Sequence, residues 1–263
     1  EDLSAPMMDG AHRFVERKIA ESIERRTAHW KQDFSSPEAY GKSIEPNRQH
    51  LREIIGAVDP RTAGALERFG DDANPARVAE TAAYEVYQVR WPVLEGVFGE
   101  GLLVRPKHEA AGRVIAIPDA DQTPEMLLGL AEGLPPGGQW ARRLAESGFE
   151  IVLPALVSRE KLATDDRQLR QSDQTYREWI YRQAFQMGRH VIGYEVQKVL
   201  AAVDAFEKST PRRKIGVAGY GEGGLIAFYA AALDERIDAA LVSGYFNCRQ
   251  AVWSEPIYRN VWR

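Results

Sequence analysis

The run Gly219-Tyr220-Gly221-Glu222-Gly223-Gly224 is where residue type and spacing bear most directly on chemistry. The β-type residues Lys214 to Ala218 precede it and the helix-forming Leu225 to Leu233 follow, which predicts a strand–turn–helix unit with a site at the turn. Two chemistries fit. As Gly219-x-Gly221-x-x-Gly224 the turn has the spacing of a dinucleotide fingerprint, in which glycines admit a pyrophosphate to a helix N-terminus. That chemistry needs an acidic residue about 20 positions on, at the end of the next strand, to hold a ribose hydroxyl. The next strand, Ile237 to Ser243, has Asp238 at its start and Gly244-Tyr245-Phe246 after it, so no carboxylate stands where the ribose would be. As Gly219-x-221-x-Gly223 the same residues have the spacing of a G-x-S-x-G turn, whose glycines permit the strained backbone that presents a nucleophilic serine. Position 221 is glycine and has no side chain to attack with. A frame centred on Glu222 would need glycine at 220, which is tyrosine. The shape of an acyl-transfer site is expected here without its nucleophile.

Other reactive side chains are sparse. The single cysteine, Cys248, excludes an internal disulfide, leaves the compartment open, and reads either as a small buried hydrophobe or as a nucleophile. His12, His29 and His50 fall in an N-terminal arm, His108 in a turn and His190 near a helix start, where capping or packing competes with catalysis. None has a partner at metal-ligand spacing, so no metal is assigned. No cofactor is assigned either. With 44% hydrophobic residues and a net charge of −4 of interspersed sign, the chain reads as globular, and no basic face for nucleic acid or anionic membrane is evident from composition. No apolar run approaches the roughly 18 residues that span a bilayer, and no signal-peptide core follows Glu1. An upstream piece removed before Glu1 would make a secreted or periplasmic location consistent.

The elements that must position the turn can be read in order. Val15, Ile19 and Ile23 describe an amphipathic helix over residues 11–33, and Leu51, Ile54, Ile55 and Val58 a second one opening at Pro46 and stopped by Pro60. Residues 1–83 read as a helical arm and 84–263 as the core. Tyr84 to Arg90 alternates as a half-wet strand, Leu102 to Pro106 forms its antiparallel neighbour, and Gly112 to Pro118 is a strand buried on both faces. A helix around Trp140 to Leu144 and a strand at Glu150 to Pro154 complete a βαβ unit, so a parallel sheet is predicted. Val157 to Thr175 is charged and unpatterned, a surface loop on the side where such sheets keep their sites. A long helix carrying Ile192, Val196, Val199, Leu200 and Val203 then leads to the glycine turn.

In this order the chain resembles the first six strands of the α/β-hydrolase fold. The segments Arg90 to Gly96, Ile117 to Glu125 and Gly219 to Gly224 are similar to its dienelactone hydrolase and acetylxylan esterase branch. The resemblance covers residues 84–246. It implies an α/β sheet, mostly parallel, of about six strands and C-terminally incomplete, with an N-terminal helical extension, and a carboxylic-ester hydrolase lineage acting on small-molecule or carbohydrate esters. It implies an oxyanion hole made by the N–H of Glu222 and one from Asp119 or Ala120, open to an anion or a carbonyl. The branch's acid and histidine follow its seventh and eighth strands, beyond Arg263, and because position 221 of the G-x-S-x-G turn is glycine an inactive or severely impaired esterase is expected. A non-catalytic binding or assembly module is the alternative, and a dinucleotide-binding oxidoreductase a further one. Glu255 is the carboxylate after the sixth strand that could substitute as the acid, and Trp253, Tyr258 and Trp262 can pack or bind a sugar. The strand at 238–243 has no lysine, proline or bulge glycine within Ala239 to Val242 to protect its edge, so that edge is expected to be covered by the tail, a second copy or further chain.

Overall fold

The structure is a computed structural model that describes residues 2–161, 174–209, 213–247 and 254–259. Cys248, Trp253 and Trp262 lie outside the described residues. Packing divides the chain into residues 1–51 and 52–263, upstream of the change of pattern at Tyr84. In the first unit, α1 (Ser4–Arg26) ends on Arg25 and Arg26, cations that suit the negative end of a helix. It buries none of its residues, and Val15 and Ile23 of the anticipated stripe stay exposed. The second helix, α2 (Pro37–Ile54), does not open at Pro46. Ser36 accepts a bond from the N–H of Ala39 (3.1 Å) and Pro37 occupies the first helical position, a start as good as the one read at Pro46. Pro46 removes one internal N–H donor and the helix continues past it.

In the second unit, β1 (Glu67–Arg68) and β2 (Arg77–Glu80) are short, exposed strands that pair antiparallel with β3 (Tyr84–Leu94). The sequence reading left both in the arm, because neither buries a face that would show as periodicity. A turn at Glu95 and Gly96 joins β3 to its antiparallel partner β4 (Val97–Pro106). Next come β5 (Arg113–Ile117), α3 (Pro124–Leu128), α4 (Trp140–Glu146) and β6 (Glu150–Pro154), then α5 (Tyr176–Gln186), α6 (Val191–Ser209), β7 (Ile215–Tyr220), α7 (Glu222–Leu233) and β8 (Ala239–Ser243). The sheet order is β1-β3-β4-β6-β5-β7-β8, with β2 also on β3. The pairs β5–β6, β5–β7 and β7–β8 are parallel. Six strands therefore follow the anticipated order, and two short ones extend the β3 side.

All five residues of β5 are buried, as its apolar run requires. On one face Val114, Ala116, Ile151 and Leu153 pack with Leu127, Leu128, Ala141 and Ala145 of α3 and α4. The α6 stripe of Ile192, Val196, Val199, Leu200 and Val203 is buried throughout, and Trp91 Nε1 donates to the Lys198 carbonyl (3.0 Å). The long helix starts beside His190 as expected, and a separate helix, α5, precedes it, the two parted where Gly188 takes φ +73°. His190 then caps α6: its Nδ1 accepts the N–H of Ile192 (3.0 Å), which places its proton on Nε2. Strand β8 pairs with β7 alone among the described residues, and its Leu241 is 60% exposed.

Candidate active site

Three loops meet at the C-terminal ends of β5, β6 and β7. At the centre Gly221 adopts φ +59°, ψ −120° between the last residue of β7 and the first of α7. This is the sharp, sparsely populated conformation expected at 221. Its neighbouring glycines are consumed by backbone crowding. A Cβ on Gly223 would lie 2.3 Å from the carbonyl oxygens of both Ile117 and Pro118, and one on Gly219 2.0 Å from the Gly223 carbonyl.

The amides assigned by resemblance to an oxyanion hole are not open, as the sequence reading had them. Asp119 Oδ1 accepts the N–H of Glu222 and the N–H of Ala120, each at 2.9 Å. The backbone N–H of Asp119 points elsewhere, to Gln122 Oε1 at 3.3 Å. The short reach of an aspartate that begins this loop lets its own carboxylate turn back onto the next amide and onto the N-terminus of α7, where negative charge is favoured. The same carboxylate fills the space in front of residue 221: a Cβ there would sit 2.7 Å from Asp119 Cγ.

Arg159 clamps this arrangement. Its Nη2 donates to Asp119 Oδ1 (2.9 Å) and Glu222 Oε2 (2.8 Å), its Nη1 to Asp119 Oδ2 (3.1 Å) and Asp121 Oδ2 (2.6 Å), and its Nε to the Tyr258 hydroxyl (3.0 Å). Behind it, Glu222 Oε1 meets Arg177 Nη2 in an ion pair without hydrogen-bond alignment, both side chains fully buried. Arg177 Nη1 donates to Glu195 Oε1 (3.1 Å) and to the Val157 carbonyl (2.7 Å), and Glu195 Oε2 pairs with Lys198 Nζ (2.6 Å). The result is a line of alternating charge: Lys198, Glu195, Arg177, Glu222, Arg159, Asp119. Charges this deep persist only when each has an opposite partner.

Protonation follows the same logic. Burial alone would raise the Asp119 pKa, but the bonds from Arg159 and from the N–H groups of Glu222 and Ala120 outweigh it and hold the carboxyl below its ordinary value. Burial disfavours the charged Arg159, yet Asp119, Glu222 and Asp121 raise its pKa further above the usual range. Burial also works against ionised Glu195, and Lys198, Arg177 and the Val157 N–H reverse the sign and lower its pKa. Burial raises the Tyr258 hydroxyl pKa, with the Glu222 charge adding to the effect. A carboxylate held ionised, doubly amide-bound and arginine-clamped is a poor base and a poor nucleophile.

Residues 137–250 match the dienelactone hydrolase family model. Among solved structures, a candidate acetyl xylan esterase from Bacteroides fragilis superposes with a TM-score of 0.59 at 19% identity, covering 78% of this chain and 53% of that one. This chain is an α/β-hydrolase fold. The acetyl xylan esterases of Thermoanaerobacterium sp. and Paenibacillus sp. are more distant, with TM-scores of 0.45 and 0.43, identities of 14% and 16%, 83% of this chain covered in both, and 64% and 65% of theirs. The chain thus spans between half and two thirds of the length of these structures. No curated protein is significantly similar in sequence.

Within this α/β-hydrolase fold, the sequence reading located Gly221, Glu222, Asp119 and Ala120, and the structure brings all four together. It missed Arg159, Arg177 and Glu195, and named Tyr258 only as an aromatic that can pack or bind a sugar. Arg159 lies in the segment read as an unpatterned charged loop, of which residues 162–173 are outside the described residues. A local signal existed only for Glu222, a carboxylate in the first turn of an otherwise apolar helix. Tyr258 packs at 4% exposure with its ring 5.5 Å from the Arg177 guanidinium, which favours packing over sugar binding, while Glu255 is paired with Arg259. Among the described residues no helix is long and apolar enough to cross a membrane, and no group of three or more His, Cys, Asp or Glu could hold a metal ion.

Proposed function

We propose that residues 52–263 are an esterase-type α/β-hydrolase domain in which the nucleophile elbow and oxyanion hole survive as shape while ester cleavage is lost. The observation that carries this reading is the position of Asp119. One of its oxygens accepts the N–H groups of Ala120 and Glu222, where an acyl-transfer site would receive the developing oxyanion. With no hydroxyl at 221, the covalent route is missing as well. A site lacking one triad member retains at best about 10³–10⁴-fold acceleration over water, and that remainder relies on an accessible oxyanion hole. The dienelactone hydrolase match and the acetyl xylan esterase likeness support a lineage that handled small esters, including carbohydrate esters.

The second reading, a non-catalytic binding or assembly module, is favoured by a cavity of about 560 Å³ beside the filled hole, bordered by Ala120, Arg159, Leu156, Met126 and Phe69. It is large enough for a small ligand and needs no nucleophile. The outer edge of β8, beside the exposed rings of Phe228 and Phe246, is proposed to be covered in the working protein by another chain segment or a second copy. A dinucleotide role is disfavoured because Asp238 is engaged by Lys214 Nζ and the Ile215 N–H at the far end of the strands, and the glycines face backbone.

The test is turnover of p-nitrophenyl acetate by the purified chain. None above the uncatalysed rate is expected. Turnover that survives both Cys248→Ala and Asp119→Asn would overturn the proposal, because it would require a nucleophile elsewhere.

A further inference from the structure

A second cleft, of about 690 Å³, opens at the opposite end of the parallel strands. It lies between the start of β5 and β6, the end of β4 and the last turn of α6. Its wall carries Arg68, Arg105, Arg113, Lys208, Arg213 and His108 against the acids Glu109 and Glu150. Counting Lys and Arg against Glu, five against two, the cleft holds +3 in a chain whose net charge is −4.

The pairing of these groups separates structural cations from available ones. Arg113 is buried and fully used: its Nε donates to Glu150 Oε2 (2.9 Å), Nη1 to the Phe206 carbonyl and Nη2 to Ser209 Oγ (2.9 Å). It takes one oxygen of Glu150, and Arg105 Nε lies 3.9 Å from the other with its side chain 54% exposed. Arg213 pairs with Glu109, whose side chain is 88% exposed, so water can replace it as a partner. Arg68 stacks on Tyr87 at 3.5 Å, which fixes the guanidinium plane without neutralising it. Lys208 in the last turn of α6 is exposed.

We infer that this cleft binds a small polyanion bearing phosphate- or sulfate-type groups, with Arg105, Lys208 and Arg68 as the charge-bearing contacts and the Arg113–Glu150 pair as its fixed floor. The ligand class follows from charge and size: a concave site offering several donors and a net positive field suits a compact multivalent oxyanion better than a monoanion or an apolar molecule. The site is independent of the esterase-type reading.

The experiment is calorimetric titration of the intact chain with inorganic pyrophosphate at low salt. Saturable one-to-one binding is expected, weakening on addition of sodium chloride. Arg105→Gln with Lys208→Gln, both exposed side chains, is expected to weaken it by at least about tenfold. A control with the same charge change elsewhere, Lys18→Gln with Arg182→Gln, is expected to leave it nearly unchanged. Absence of saturable binding, or equal weakening in the two double variants, would overturn the site and show only diffuse attraction. Glucose 6-phosphate and glucose 6-sulfate, titrated in parallel, separate the two oxyanion chemistries.

Discussion

The two ends of the parallel strands both gather charge, and they use it differently. At the C-terminal end every charge of the line from Lys198 to Asp119 has a partner of opposite sign, and the central members are shut away from water. At the N-terminal end the Arg113–Glu150 pair is buried, but Lys214 Nζ reaches Asp238 at 2.6 Å with its side chain 83% exposed, and the half-exposed Arg105 stands 3.9 Å from Glu150. Distance alone does not distinguish these interactions. Surroundings do, because removing a partner from a dry pair strands a charge, whereas water replaces a partner at the surface. The difference identifies the filled turn at Gly221 as a built, rigid end and the opposite cleft as the end with cations to spare.

Arg177→Met gives the sharpest contrast. It takes one cationic partner from each of Glu222 and Glu195 in the interior, leaving Arg159 and Lys198 to hold them, and is expected to lower unfolding stability by about 3–5 kcal/mol in urea titrations. A loss below about 1 kcal/mol would mean that water already reaches this network, and the comparison would fail. Gly221→Ser is expected to cost about 1–3 kcal/mol, since a side chain there must hold a sparsely populated backbone and crowd the Asp119 carboxylate, which its amide bonds and Arg159 keep in place. It should also leave p-nitrophenyl acetate uncleaved, because the hole stays filled. Lys214→Gln at the other end is expected to change stability by less than about 1 kcal/mol.

Acid supplies a test without mutation. Asp119 has its folded pKa held below the ordinary 3.8, so it binds its proton less readily folded than unfolded. The stability it contributes is present above the unfolded value and is lost as pH falls through the folded one, that is, below about pH 4. Asp119→Asn should remove that part of the acid sensitivity, read as a flatter decline of melting temperature with falling pH. An unchanged decline would assign the acid response to other carboxylates.

Much of the frame was legible from sequence because strands and helices write their burial into local pattern. The five buried residues of β5 and the α6 stripe are cases where period and packing agree. Strand β2 was not legible, since its exposed residues carry no alternation. The turn at 221 was legible because glycine spacing encodes backbone crowding. Its occupant was not. That Asp119 Oδ1 would meet the amide of Glu222 depends on a contact across 103 positions, and that Arg159 would close over both depends on a loop with no periodicity. Local pattern places each element, but the pairing of distant charges follows from how the elements meet.

The carboxylate in front of residue 221 also bears on how this chain could change through descent. A serine acquired at 221 meets Asp119, and a residue smaller than aspartate acquired at 119 opens an amide pair with nothing beside it to attack an ester. Neither single step yields an acyl-transfer function on which selection could act, and the first carries a stability cost. On the proposed reading, a return to such an enzyme must therefore cross at least one intermediate with no catalytic gain, and the filled turn would act as a ratchet that holds the lineage to other uses of the fold.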